Sequence, residues 1–331
     1  MKKVRIAQIG TSGNSHGREI FATITSMPEI FEVVGYALPE NERSKFPDRM
    51  GVFEGYREMS VEEILSDPSI DAVSVETEEI YLTKYAQMVA DAGKHMHMEK
   101  PGGTSLEAFE KLIATVKSKQ TVFHTGYMYR YNPAVKDIMQ RVKAGEIGEV
   151  VSVEAQMNCR HGEALTRWLS SFEGGMMFYL GCHMVDLVLQ IQGIPERIVP
   201  FNKCSGRFDG VSSTDCSMAV LEYKNGASIV RSCNVERGGF SRRQLVVTGT
   251  EGRLMICPLE INLKYPLECT EYNECFDDTW EAPGVWKRSE EYDRYSAMLS
   301  AFAAMVRGEL ENPYSYDYEL DLFRTIKKCC E

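Results

Sequence analysis

Gly10-Thr11-Ser12-Gly13-Asn14-Ser15-His16-Gly17 follows an apolar run, Val4 to Ile9, and precedes a helical pattern. A glycine-rich turn between a strand and a helix offers backbone N–H groups and the positive end of a helix dipole, which suits a dinucleotide pyrophosphate. The glycines fall at 10, 13 and 17, whereas the dinucleotide fingerprint has Ser12 and Ser15 at its second and third positions. The same residues would also serve a plain βα turn capped by Ser and Asn. The acid that reads a ribose hydroxyl is expected near Leu38, about 20 residues on. Glu40 comes two positions later, and Arg43 and Lys45 stand where they could meet a 2′-phosphate, so NAD and NADP are both open. A solvated helix start explains these three residues equally well.

Two further segments carry reactive side chains. Glu99-Lys100-Pro101 directly follows the short strand His95 to Met98, at the carboxyl edge where doubly wound sheets bind ligands. Tyr179, His183 and Asp186 are spaced by four and three residues in a helix expected over Gly174 to Gln192. That spacing gathers them within about 60° of arc on one face.

Positioning these groups requires two kinds of element. Up to about Thr125, β-rich runs (Val4–Ile9, Phe31–Ala37, Ala72–Thr77, His95–Met98, Thr121–His124) alternate with amphipathic helices (Arg18–Ser26, Val61–Leu65, Thr83–Ala92, Leu106–Lys117). This βαβ alternation predicts an N-terminal Rossmann domain, an α/β fold with a doubly wound parallel sheet. A helix opens at Asn132-Pro133. Beyond Glu149 come Val150–Met157, Thr214–Tyr223, Ala227–Asn234, Arg243–Thr248 and Arg253–Cys257, with Lys224-Asn225-Gly226 as a hairpin turn. These predict a C-terminal α/β domain with a large open, mainly antiparallel sheet, closed by helices over Glu290–Arg307 and Tyr318–Lys328. Residues 1–125 and 126–331 are the expected domains, with the last helices free to pack back on the first.

The 331 residues carry 37 Lys plus Arg against 48 Asp plus Glu, a net charge of −11, which argues against a nucleic-acid surface. Apolar residues at 44% and charged residues at 26% suit a globular protein, and no apolar run has the length of a membrane span. Arg5 and Gln8 interrupt the N-terminal apolar stretch, so no signal-peptide core is read and a cytoplasmic location is expected. Ten cysteines contain no Cys-x-x-Cys pair and read as small hydrophobes, with no metal site expected.

Three ordered motifs are specific: Ala92-Gly93-Lys94-His95 to Glu99-Lys100-Pro101; Gly126-Tyr127-Met128-Tyr129-Arg130-Tyr131-Asn132-Pro133; and Gly174-Gly175 to Gly181-Cys182-His183-Met184-Val185-Asp186. Together they resemble the Gfo/Idh/MocA oxidoreductase family, named for glucose-fructose oxidoreductase and inositol dehydrogenase. The resemblance spans nearly the whole chain and implies a nicotinamide cofactor and a sugar, polyol or related substrate. It implies that Lys100 is the catalytic lysine and His183 the active-site histidine, with Asp186 and Tyr179 beside it. It further implies cofactor contacts from Gly10, Thr11, Ser12, Gly13, Asn14, His16, Glu40, Arg43, Thr77, Glu99 and Pro101. Tyr127, Arg130, Arg160, His161 and Trp168 would face the substrate, and the open sheet would pair subunits into a homodimer or homotetramer.

The chemistry is consistent with these roles. Oxidising a carbinol by hydride loss also requires removal of the hydroxyl proton. A lysine with an ordinary pKa near 10.4 accepts it at neutral pH only when burial or nearby positive charge lowers that value. His183 could act as base or relay. Two departures stand out: Tyr179 replaces an Asp common in the family, and Glu78-Glu79 follows Thr77 where Thr-Pro-Asn is usual. An NAD(P)-dependent oxidoreductase and a non-catalytic sugar- or nucleotide-sensing protein on the same scaffold are both open, with Lys100, His183 and Asp186 together arguing for the enzyme.

Overall fold

The computed structural model describes residues 2–331, which divide into two compact units. The chain up to Tyr127, joined by Tyr295–Phe323, forms the first; Met128–Arg294 with Arg324–Glu331 forms the second.

In the first unit five parallel strands, β1 (Val4–Ile9), β2 (Phe31–Ala37), β3 (Ala72–Val75), β4 (His95–Met98) and β5 (Phe123–Thr125), lie in the order β2-β1-β3-β4-β5. Helices α1 (Gly17–Ser26), α2 (Glu42–Lys45), α3 (Val61–Ser66), α4 (Glu79–Asp91) and α5 (Leu106–Lys119) occupy the connections. Because both faces of such a sheet are covered, every residue of the central strand β3 is buried, its Ser74 included. Chain direction away from the starting strand reverses between β1 and β3, which opens a crevice at their carboxyl ends. Local signals fix the helices: Ser60 and Glu63 form a reciprocal capping box on α3, and Ser105 caps α5. Helix α9 (Ser296–Val306) and the first half of α10 (Tyr316–Cys330) also belong here. Phe302 stacks on His124 at 5.5 Å between ring centres, and Phe323 lies 4.5 Å from Phe109.

The second unit is built on eight strands: β6 (Val150–Asn158), β7 (Arg197–Lys203), β8 (Cys216–Tyr223), β9 (Gly226–Cys233), β10 (Gln244–Gly249), β11 (Arg253–Ile256), β14 (Glu271–Cys275) and β15 (Val285–Arg288). Their order is β15-β14-β11-β10-β6-β9-β8-β7, antiparallel throughout except for β6 beside β9. Helices α6 (Pro133–Lys143), α7 (Glu163–Trp168) and α8 (Cys182–Gln192) complete it, and α8 packs on β6 and β9. The opposite face carries a cross-strand row of Val199, Val220, Ile229, Glu154, Val246 and Met255, none fully buried. Gly226 ends the β8–β9 hairpin where a Cβ would stand 2.0 Å from the Val151 carbonyl oxygen, so close approach to β6 demands glycine.

Three expectations are corrected. The helix expected from Glu290 begins at Ser296, because Tyr292–Asp293 pairs as β16 with β13 (Leu267–Cys269), which also binds β12 (Ile261–Asn262). The helix expected over Gly174–Gln192 is interrupted: Met177–Gly181 is a π-helical stretch that feeds α8. Wider winding there takes Tyr179 out of α-helical phase with His183, whereas His183 and Asp186 keep theirs. Helix α4 starts at Glu79, four residues before the expected start at Thr83.

Candidate active site

In the first unit, Gly10 leaves β1 with φ +91°, and a Cβ there would lie 2.5 Å from the Thr77 methyl, so only glycine lets the turn close over β3. Ser12 N–H donates to the Glu76 carbonyl at 2.9 Å, and Arg49 donates to the Gly13 and Ser15 carbonyls at 2.6 and 3.1 Å. Two N–H groups of this turn are held by carboxylates of the chain itself. Thr11 N–H donates to Glu42 Oε2 at 2.8 Å and His16 N–H to Glu99 Oε2 at 3.3 Å. Asn14 N–H is taken by Ser12 Oγ at 3.3 Å.

At the end of β2, Glu40 accepts from Lys84 Nζ at 2.6 Å and from the Tyr85 hydroxyl at 2.7 Å. Arg43 is drawn to Glu58 (2.5 Å) and the Tyr36 hydroxyl (3.1 Å), and Lys45 to Glu78 (3.1 Å). At the end of β4, Lys100 is buried, its Nζ 3.9 Å from Glu99 Oε1, and it precedes Pro101 through a cis peptide bond. Sequence reasoning asked for burial or positive charge around Lys100; burial is present, and the charged neighbour is a carboxylate.

Four glutamates are buried around this crevice: Glu42, Glu76, Glu79 and Glu99. Burial raises the Glu79 carboxyl to about 8, against the pull of Lys100, and raises Glu42 to about 8 against the Thr11 hydrogen bond. Glu76 is pushed well above the usual range by burial and by Glu99. Glu99 is the exception: burial would raise it, but the hydrogen bond and charge of His16, with Lys100, hold it below the usual range. Three of the four are therefore neutral at pH 7 and one is charged. His97 sits 3.7 Å from Glu76 and is lowered to about 4 by burial, and its Nδ1 meets that of His124 at 2.8 Å.

Thr11 Oγ1, Thr77 Oγ1 and both carboxyl oxygens of Glu79 are buried without a hydrogen bond to another described residue. Unsatisfied oxygens of this kind at the switch point fit a ligand rich in hydroxyls and amide groups, as a nicotinamide dinucleotide is. The residues that would hold it through these oxygens are Thr11, Thr77 and Glu79.

In the second unit, His183 is buried with its ring edge-on to Tyr129 at 5.1 Å. The Tyr129 hydroxyl donates to Glu260 Oε1 at 2.7 Å. Burial alone would raise Glu260, but Arg294 and Arg243 outweigh it and keep the carboxylate charged. Asp186 and Arg130 are given to each other: Nε and Nη2 reach the carboxylate at 3.0 and 2.8 Å, with both groups about 1% exposed. Gln190 adds a third donor to Asp186 at 2.8 Å. Removing one partner of such a buried pair costs about 3–5 kcal/mol, so the pair locks the start of α8, and His183 with it, onto the Met128–Tyr131 turn. Trp168 at the end of α7 lies edge-on to Tyr179 at 5.2 Å. Arg160 is exposed, His161 half-buried, and Tyr127, in the first unit, fully buried. Sequence reasoning missed Glu42, Glu79, Glu260 and the His97–His124 pair; the only local signal was the acidic run after β3.

The chain matches the family model of the oxidoreductase family with NAD-binding Rossmann fold over residues 4–127, and that of the GFO/IDH/MocA C-terminal domain over residues 135–255. It belongs to the GFO/IDH/MocA family: it is an oxidoreductase whose first domain is an NAD-binding Rossmann fold. D-xylose 1-dehydrogenase (NADP(+)) 2 of Haloferax volcanii is 25% identical over 303 residues, covering 87% of this chain and 85% of that protein. The NAD(+)-dependent scyllo-inositol 2-dehydrogenase of Bacillus subtilis is 28% identical over 204 residues, 59% of this chain and 57% of that one. Among solved structures, a 3-ketoreductase from Actinomadura kijaniata superposes with a TM-score of 0.80 at 17% identity, over 98% of this chain and 96% of that one. No helix among the described residues is long and apolar enough to cross a membrane, and no group of three or more His, Cys, Asp or Glu there could hold a metal ion.

The raised Glu79 gives a pH dependence of defined sign. Its folded-state pKa of about 8 exceeds the ordinary 4.5, so the contribution of Glu79 to stability is fullest below about pH 4.5 and is lost as pH rises towards 8. Glu79→Gln removes this ionisation. Thermal melts should show the variant level with wild type near pH 5 and several degrees more stable above pH 8; a difference that does not change with pH would contradict the buried neutral carboxyl.

Proposed function

We propose that this oxidoreductase moves a hydride between NAD or NADP and a hydroxyl carbon of a sugar, polyol or related compound, with Lys100 and His183 handling the hydroxyl proton. The observation that supports this reading is Lys100 itself. Lysine is rarely buried without a task, and this one stands at the carboxyl end of β4 with a charged carboxylate 3.9 Å away. The bound nicotinamide would accept or return the hydride. The chain's part is the proton: Nζ, an ammonium beside Glu99, gives its proton to the oxygen as a carbonyl is reduced to the carbinol, and the amine so formed takes it back in the oxidising direction. His183 is the second proton carrier, held in place by Tyr129 and, through α8, by the Arg130–Asp186 pair. Tyr179 presents a phenol that can hydrogen-bond a substrate hydroxyl, and Trp168 offers a face for apolar sugar C–H groups.

The row on the open face of the second unit's sheet, apolar except for Glu154, supports a homodimer formed through that face. Light scattering at micromolar concentration should give twice the 37.5 kDa chain mass, and a value at the chain mass would oppose it. The catalytic reading is tested with a panel of polyols and aldoses, following nicotinamide absorbance. Lys100→Met should lower turnover by about 10²–10⁴-fold, and Lys100→Arg, which keeps a cation beside Glu99 and so spares more of the melting temperature, should lower it too. Unchanged turnover would remove Lys100 from the mechanism.

A further inference from the structure

Strands β6 and β9 end side by side in the second unit, and arginines collect where they do. Arg160, just past β6, forms an antiparallel bridge with Val235, and Glu236 N–H donates to the Cys159 carbonyl at 3.1 Å, so Arg160 lies beside the segment that carries Arg237. Asn234 fastens the corner together. Fully buried, it accepts from His161 N–H at 2.6 Å and donates to Thr166 Oγ1 of α7 at 2.7 Å. Arg207 is fixed against the same knot, donating to the Asn234 carbonyl at 3.0 Å and to the His161 carbonyl, with its guanidinium 4.3 Å from the Phe208 ring centre.

The charge at this corner is unbalanced. Arg231 and Arg242 share the Glu236 carboxylate, and Arg243 has Glu260. Arg160, Arg207 and Arg237 have no carboxylate partner among the described residues, in a chain whose net charge is −11. Their closeness is felt electrostatically: Arg237 first, then burial and Arg207, hold Arg160 below its ordinary pKa. Cations gathered without an intervening acid repel one another, and a bound anion relieves that repulsion.

We propose that Arg160, Arg207 and Arg237 form a recognition site for an oxyanion, a carboxylate or phosphate monoester carried on the hydroxylated substrate. Guanidinium forks match both groups in geometry, and Arg207, immobilised by two carbonyls, loses little freedom on binding. Trp168 lies two residues beyond the Thr166 that Asn234 holds, so an anchored anion leaves the polyol portion beside the Trp168–Tyr179 aromatic pair. The assignment of the anion as part of a substrate rests on the oxidoreductase reading above; the assignment of an anion site does not.

The test is calorimetric titration of the full chain without dinucleotide, at fixed ionic strength, using gluconate, glucose 6-phosphate, inorganic phosphate and sorbitol as probes. Gluconate or glucose 6-phosphate should bind, and which of them binds tells carboxylate from phosphate. Affinity should fall at least about tenfold in the double variant Arg160→Gln/Arg237→Gln and hold in Arg242→Gln, whose side chain is paired with Glu236. If the double variant does not fold, Arg237→Gln alone, at an exposed position, carries the comparison. Sorbitol binding as tightly as gluconate, no binding of any anion, or anion binding untouched by the variants would overturn the proposal. Inorganic phosphate binding as tightly as glucose 6-phosphate would overturn the substrate assignment. Anionic probes that bind as expected yet fail to reduce NAD or NADP would count against the oxidoreductase substrate reading and leave the anion site standing. Turnover of neutral polyols alone would do the reverse.

Discussion

Burying a carboxyl group is expensive, and the first unit buries four around a single crevice, so the protonation state of each decides what the crevice can hold. Glu42, Glu76 and Glu79 meet the cost by staying neutral; Glu99 meets it by borrowing charge and hydrogen bonds from His16 and Lys100. The glycine-rich turn depends on this division, because two of its N–H groups are satisfied by Glu42 and Glu99. Lys100 depends on it too, since Glu99 is the charged partner beside it. Were all four ionised, the crevice would repel a dinucleotide's pyrophosphate.

The second unit reaches the same end by pairing charges. Asp186 and Arg130 satisfy each other away from water, and Glu260 is shared among Tyr129, Arg243 and Arg294. Neither network presents a free carboxylate; what they present is an imidazole, His183, set between a locked helix start and the Tyr129 ring. Such pairs add less to stability than their Coulomb attraction suggests, because both charges lose their hydration. Their value here is a fixed position for His183. The π-helical stretch just before α8 then carries Tyr179 out of the phase an α-helix would give it, towards Trp168.

Much of the first unit was legible because short β-rich runs alternate with amphipathic helices, and the bounds of β1, β2 and β4 follow from the sequence to the residue. Both the glycine turn and the position of Lys100 followed from those strand ends. Glu42 was not legible as a partner of Thr11, because its return to the turn depends on Glu40 and Asn41 both adopting positive φ, which neither residue type announces. Strand β7, interrupted by Pro200, and the short β16 escaped notice because distant partners hold them: Tyr292 is fixed by Asn132 at 2.7 Å across the chain. The mutual capture of Arg130 and Asp186 joins residues 56 apart and leaves no local trace.

The crevice of the first unit, for all its glutamates, is shaped around a nicotinamide dinucleotide. Titration of the purified chain with NADH and with NADPH at pH 7, following nicotinamide fluorescence, tests it most directly. At least one of them should bind saturably, and binding should weaken as pH is raised through about 8, where Glu42 and Glu79 ionise. Absence of binding of both, with no dinucleotide released on denaturing the purified protein, would contradict it.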